Sequence, residues 1–350
     1  MIRNKTVGWA ACVLILSLSL APELLSWHAV VGSEDLSIST VVAVVAAICT
    51  ALRCNDRRSW IVVASMIGLS VFARDTNTLL AVTTLLCLSA LWVRRRRQRA
   101  AVHPQTRTTS VVVALICAMS IVVSLVIAQQ ADPPRWYFPT QENILRRVLV
   151  RTDYTKWFVQ QGMPQVELLK KYSGSAYESG REKLVSDPQF APFRRWLGAD
   201  GQNTYLHFLV IHPRWSITEY FDQRDFVFDP KVSVYTRLSH AEPGSFYDGV
   251  GRIVFFHSSS AILLLSLLAF VVMVWSRLSR THTIAVRATM IALIVTGLLH
   301  TLISYIGDDL EVSRHAITAN VQVRLVLWIC AALLADGALT RKSARTSPQS

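Results

Sequence analysis

Charge is what this sequence has least of. Of its 350 residues only 17% are Asp, Glu, Lys or Arg, while 52% are hydrophobic; an ordinary soluble domain is about one quarter charged. A cysteine framework is also missing. The six cysteines (Cys12, Cys49, Cys54, Cys87, Cys117 and Cys330) lie in or beside long apolar runs, and residues 129–252 contain none. No CxxC or Cys/His spacing suits zinc. These absences exclude a disulfide-stapled secreted domain and a zinc module, and leave the cysteines as small apolar fillers. An internal repeat is lacking too, which argues against a transporter built from two similar halves.

What is present is a set of apolar runs, at about 8–26, 37–53, 59–73, 76–93, 110–128, 253–275, 284–306 and 319–339. Their lengths suit helices crossing a hydrocarbon core of about 30 Å. The fold class expected is an all-α integral membrane protein. It has about eight transmembrane helices and a mostly helical extracytoplasmic insert. Residues 1–128 form a block of five helices, 129–252 the insert, 253–340 a block of three helices and 341–350 a cytoplasmic tail.

Basic residues orient the chain. With the N-terminus inside, the short inner segments hold sixteen Lys and Arg, among them "RRRRQR" at 94–99, and the short outer turns only Arg74 and Arg314. Such asymmetry is the positive-inside rule. It places both termini in the cytoplasm, 129–252 outside, and the chain in the plasma (inner) membrane. The formal net charge of +13 is then a topology signal rather than a nucleic-acid footprint, and no nucleic-acid partner is expected. The "RRRRQR" run reads as an anchor touching anionic membrane lipids. The basic, then apolar, N-terminus reads as an uncleaved first helix, because no small-x-small cleavage site follows it.

The insert carries helical signals. "QENILRRVLVR" puts Ile144, Leu145, Val148 and Leu149 on one stripe. "DYTKWFVQQGMP" reads as a helix from Asp153 that stops at Gly162. "DPQFAPFRRWL" opens with an Asp cap and Pro at the first helical position. The insert's many aromatics suit its own core first, and a sugar-binding or interfacial surface second.

Carboxylates gather at the predicted outer face. "VVGSEDLSIS" carries Glu34 and Asp35, "VFARDTNTLL" carries Arg74, Asp75 and Asn77, and "YIGDDLEVSRHAITAN" carries Asp308, Asp309, Glu311, Arg314 and His315. Near hydrocarbon such groups must be paired, solvated or functional. Structural ion pairs, such as Asp75 with Arg74 or Arg314, are one account. A shared cleft is the other: carboxylates serve as general base or metal ligands, and arginines hold phosphate with a fork of donors. Arg287 and Arg324 fall near the ends of apolar runs, leaving His300 as the one deep ionisable residue.

"SEDLSIS" followed about forty residues on by "FARDTNTLL", with the late "GDDLEVSRHAITANVQVRL", resembles the GT-C superfamily of polytopic membrane glycosyltransferases. These are the polyprenyl-phosphate-sugar-dependent enzymes that include bacterial relatives of protein mannosyltransferases. The resemblance covers about 25–95 and 300–328. It implies transfer of a sugar from a lipid-linked donor to a glycan or protein acceptor of the cell envelope. Glu34, Asp35 or Asp75 would be the base. Arg74, Asn77, Arg314 and His315 would bind substrate, and Asp308, Asp309 and Glu311 a divalent cation (Mg or Mn). Family members have more helices and an acid in the first outer loop. Here Glu34 and Asp35 match a later loop, which implies a chain lacking the family's N-terminal part: either Glu34 or Asp35 takes the base role, or a membrane-protein partner supplies it, or the chain is not catalytic. Two other classes stay open: a non-catalytic envelope assembly or scaffold protein, and a lipid-precursor transporter.

Overall fold

The computed structural model describes residues 1–19, 21, 24, 33–54, 56–85, 104–130, 136–173, 183–228, 249, 251, 253–275, 283–307 and 312–346. Among the described residues every regular element is helical and none is a strand. A helix lies in each of the eight apolar runs: Lys5–Ser19, Ser33–Cys54, Arg57–Ala73, 78–85, Pro104–Gln130, Ser259–Trp275, Ile284–Gly307 and Val312–Thr346. Among the described residues three segments are long and apolar enough to cross a membrane, Glu34–Cys54, Ile284–Gly307 and Arg314–Lys342. Lys5–Ser19, Val111–Ile127 and Ser259–Trp275 are apolar but shorter. The "RRRRQR" run and Cys87 lie outside the described residues.

Outward faces are apolar as well. Leu115, Met119, Val122 and Leu125 of Pro104–Gln130 are exposed, as are Leu264, Leu267, Leu268 and Trp275 of Ser259–Trp275. Contiguous apolar faces of this kind are disfavoured in water, whereas hydrocarbon accepts them.

The chain divides into two compact units. The first comprises Met1–Leu125, Phe228–Thr301 and Ala316–Ser350. Its axis is the Val312–Thr346 helix, in which every residue from Ala316 to Leu327 is buried. A helix buried all round is a central one. Close approach is written into Gly297 on Ile284–Gly307: a Cβ there would meet Val323 Cγ2 at 2.5 Å. Ser33–Cys54 and Arg57–Ala73 pack against each other as an antiparallel hairpin.

Two acids, Asp56 and Asp336, close helix starts in this unit. Asp56 is the N-cap of Arg57–Ala73, accepting from the Ser59 amide at 2.7 Å and its hydroxyl at 3.0 Å. That amide bond is the main reason its carboxyl is held below the usual carboxylate range. Asp336, 1% exposed, reaches the chain's own beginning: its Oδ1 accepts from the amides of Arg3 and Asn4 at 2.9 and 2.7 Å. Asn4 in turn accepts from the Thr6 and Val7 amides. The orphan donors at the start of Lys5–Ser19 are thereby satisfied.

The second unit comprises Val126–Val227 and Leu302–His315. Its core holds Ile144, Leu145, Val148 and Leu149 with Phe158, Phe190, Phe193, Trp196, Tyr205, Phe208 and Trp215. The aromatics of this segment thus build its interior. Asp187 caps as the sequence suggests, accepting from the Gln189 amide at 2.9 Å with Pro188 next. Thr152–Gln160 ends just before Gly162, whose φ of +89° suits glycine. Two π-helical turns, Ile144–Val148 and Leu197–Gly201, interrupt the longer helices. Tyr205 donates to the Ile306 carbonyl at 2.8 Å, and Arg147 to the Tyr305 carbonyl at 2.6 Å.

Candidate functional site

Glu34 and Asp35 stand in the first turn of Ser33–Cys54, where the helix dipole favours negative charge. Glu34 is 3% exposed and Asp35 half-buried. The Arg57–Ala73 helix ends at its C-cap, Arg74, and a 3-10 turn, Asp75–Asn77, follows. The hairpin of the two helices sets this turn beside the start of Ser33–Cys54. Arg74 Nη1 lies 3.7 Å from Glu34 Oε1, and Arg74 is itself only 9% exposed. Asn77, fully buried, donates to the Ser37 hydroxyl and to the Ser70 carbonyl, both at 2.8 Å. Thr318, on the central helix, donates to the Ser37 hydroxyl at 3.0 Å. Two of the acidic turns singled out in the sequence, and the central helix, therefore meet in one buried polar cluster: Glu34, Ser37, Arg74, Asn77 and Thr318.

Chemically the cluster offers a carboxylate, a guanidinium and hydroxyl and amide groups away from water. Inside a low-dielectric site a carboxylate and a guanidinium interact far more strongly than at a surface. Asn77 Oδ1 and Gln322 Oε1 find no donor among the described residues although both are buried. Such acceptors are usually satisfied by water or a polar ligand.

The other predicted site residues are placed as follows. Asp75 opens the 3-10 turn, and its side chain lies outside the described part of the structure. Arg314 and His315 are in the first turn of Val312–Thr346, in the second unit, and are half-buried. The His315 carbonyl accepts from Ser304 Oγ at 3.1 Å. Asp308, Asp309 and Glu311 lie outside the described residues. Among the described residues no group of three or more His, Cys, Asp or Glu could hold a metal ion.

Arg324 corrects the sequence analysis. Instead of lying near a helix end, it sits well inside the Arg314–Lys342 span and is 0% exposed. Its Nε donates to the Phe255 carbonyl at 2.9 Å. Its Nη1 donates to Asn320 Oδ1 at 2.9 Å and to the Asn320 carbonyl at 3.1 Å. Its Nη2 donates to the Phe228 and Phe256 carbonyls, each at 3.2 Å. The guanidinium also lies 4.0 Å over the Phe255 ring. His300, 1% exposed, is therefore not the one deep ionisable residue of the apolar runs.

Sequence reasoning also passed over Ser37, Thr318, Asn320 and Gln322. A signal existed: polar residues at 318, 320, 322 and 324 alternate inside an apolar run. On a helix this spacing puts 318 and 322 on one side and 320 and 324 on the other. Thr318 and Gln322 accordingly meet Ser37 and the Leu293 carbonyl, while Asn320 and Arg324 serve the Phe255 side. Compared with protein-family models, curated proteins and solved structures, the chain matches none, so these residues carry the functional reading by themselves.

Proposed function

We propose that the chain is a multi-pass plasma-membrane protein of GT-C type that transfers a sugar from a polyprenyl-phosphate donor at the outer face. In this reading eight helices span the membrane, both termini are cytoplasmic, and 129–252 is extracytoplasmic and binds the acceptor, a glycan or a protein. The single observation that supports it is the Glu34–Arg74 pair at 3.7 Å within a buried polar cluster. It joins the base and the phosphate fork that the chemistry requires.

The pair suggests an order of events. Donor phosphate binds Arg74 and draws the guanidinium from Glu34. The freed carboxylate takes the proton of the acceptor hydroxyl. The acceptor oxygen bonds to the anomeric carbon as the carbon–oxygen bond to phosphate breaks, and phosphate leaves with that electron pair. Asn77, held by Ser37 and Ser70, positions the turn. Asp35 stands next to the base in the first turn of Ser33–Cys54.

A second reading has its own support. Glu34 and Arg74 already satisfy each other, as structural pairs do, and the aromatic core of 129–252 suits a docking module. This reading makes the chain a non-catalytic envelope assembly protein.

Arg74→Lys separates the two. Lysine keeps the charge but loses the planar two-pronged fit to phosphate oxygens. The enzyme reading expects normal membrane abundance with envelope glycan lost for Arg74→Lys. Normal glycan in this variant overturns it in favour of the assembly role.

A further inference from the structure

Lys5–Ser19, Ser33–Cys54 and Val312–Thr346 enclose a groove of about 520 Å³, within the range of about 300–1,000 Å³ typical of ligand sites. Small side chains make the space: Gly8 and Cys12 on the first helix face Ala46 and Cys49 on the second, with Ala332 on the third. The wall is apolar along its length, and two basic residues, Lys5 and Arg53, stand at one end. Both are exposed, and neither makes an ion pair with a carboxylate among the described residues.

Length identifies the occupant. Along Ser33–Cys54 the groove is lined from Val42 to Arg53, and along Lys5–Ser19 from Lys5 to Ile15. At about 1.5 Å per residue each wall runs roughly 15–17 Å, half of a hydrocarbon core of about 30 Å. A slot one leaflet deep, apolar throughout and cationic at its mouth, is complementary to a single anionic lipid: chain in the slot, phosphate against Lys5 and Arg53. The cationic end also lies at the far end of the helix from Glu34, about 28 Å away along its axis, so this lipid belongs to the opposite leaflet from the donor sugar.

We infer that the groove between these three helices binds one anionic phospholipid of the cytoplasmic leaflet. The inference rests on the membrane-embedded part of the proposed function and not on sugar transfer, so failure of the glycan assay leaves it standing. Asp336 supports the site from behind. It fixes the amides of Arg3 and Asn4 and so holds Lys5 at the groove's mouth.

The test uses the full chain, equilibrated with vesicles of phosphatidylcholine alone or of phosphatidylcholine with phosphatidylglycerol. Native mass spectrometry after gentle extraction then counts retained lipids. One phosphatidylglycerol per chain is expected, preferred over phosphatidylcholine by about tenfold or more, the size two basic contacts to an anionic headgroup give. The double variant K5Q/R53Q abolishes the preference. Ala46→Phe, which fills the exposed wall of the slot with both charges intact, abolishes retention. R57Q/R58Q, at the same end of the neighbouring helix but not lining the groove, changes neither. Equal retention of both lipids overturns the proposal, as does an equal loss in R57Q/R58Q, which signals diffuse charge. Unchanged retention in Ala46→Phe overturns it too, and so does a dimer that Ala46→Phe dissociates, which puts a second copy of the chain in the groove.

Discussion

Arg324 donates to the side-chain oxygen of Asn320, one helical turn back, at 2.9 Å, and lies 4.0 Å over the ring of Phe255 while bonding that residue's carbonyl. The second unit repeats the device. Arg147 donates to Asn143, also four residues back, at 2.9 Å, and lies 4.0 Å over Tyr305 while bonding its carbonyl. In each case an asparagine steers the guanidinium onto a backbone carbonyl and the ring beside it. A guanidinium suits the task because its donors are fixed in a fork and its flat face stacks on rings.

Arg324→Leu strands three carbonyls of the first unit, at Phe228, Phe255 and Phe256. A cost of about 3 kcal/mol or more is expected, since each hydrogen bond to a charged group contributes about 1.5–3 kcal/mol. Arg324→Lys recovers only part, because an ammonium cannot span the same acceptors. Thermal unfolding in detergent and membrane abundance should rank wild type above Arg324→Lys above Arg324→Leu. Equal stability of the leucine variant would refute the carbonyl-clamp role.

The Glu34–Arg74 pair makes a different prediction. Removing one partner leaves a charge buried, at a cost of about 3–5 kcal/mol, whereas removing both is often near neutral. Glu34→Gln alone should therefore reduce membrane abundance more than the double variant E34Q/R74Q. A double-mutant cycle on unfolding free energy measures the coupling; additive losses would mean that the two side chains act separately.

Gly297 should tolerate no side chain. Alanine puts a methyl against Val323 Cγ2 on the central helix. Overpacking of this kind costs about 1–3 kcal/mol. Gly297→Ala should lower the unfolding temperature, and pairing it with Val323→Ala should restore most of the loss.

Asp56 carries a pH dependence of known sign. Its carboxyl is depressed chiefly by the Ser59 amide, so the helix-start stabilisation is complete above the ordinary aspartate value of about 3.9. It is lost as pH falls through the depressed folded value. The protection factors of the Ser59 and Trp60 amides, that is exchange corrected for its intrinsic pH dependence, should fall on acidification into that window. Asp56→Asn, which keeps a capping oxygen without the titration, should flatten the response.

Much of the helical layout was legible in the sequence because apolar runs and caps are local signals. The Asp187 cap, the stop at Gly162 and the stripe of Ile144, Leu145, Val148 and Leu149 all depend on neighbours within a turn or two. Partner choice was not legible. The described ion pair of Arg74 is with Glu34, forty residues away, because the helix hairpin decides the approach. Arg324 was harder still, since its described hydrogen-bond partners are four backbone carbonyls and an amide oxygen. Carbonyls leave no mark in a sequence.

The second unit is closed by Leu302–His315, which supplies Tyr305 and Ile306 as acceptors for Arg147 and Tyr205. The ribosome makes that segment some 75 residues after Val227. At about 5–20 residues per second the wait is several seconds. During it Arg147 has no Tyr305 to cover, and the aromatic core stands without its last strap. Completion of this unit is thus timed by synthesis of the Ile284–Gly307 helix. A chain stalled before residue 302 should present an added protease with a looser target than the finished protein does.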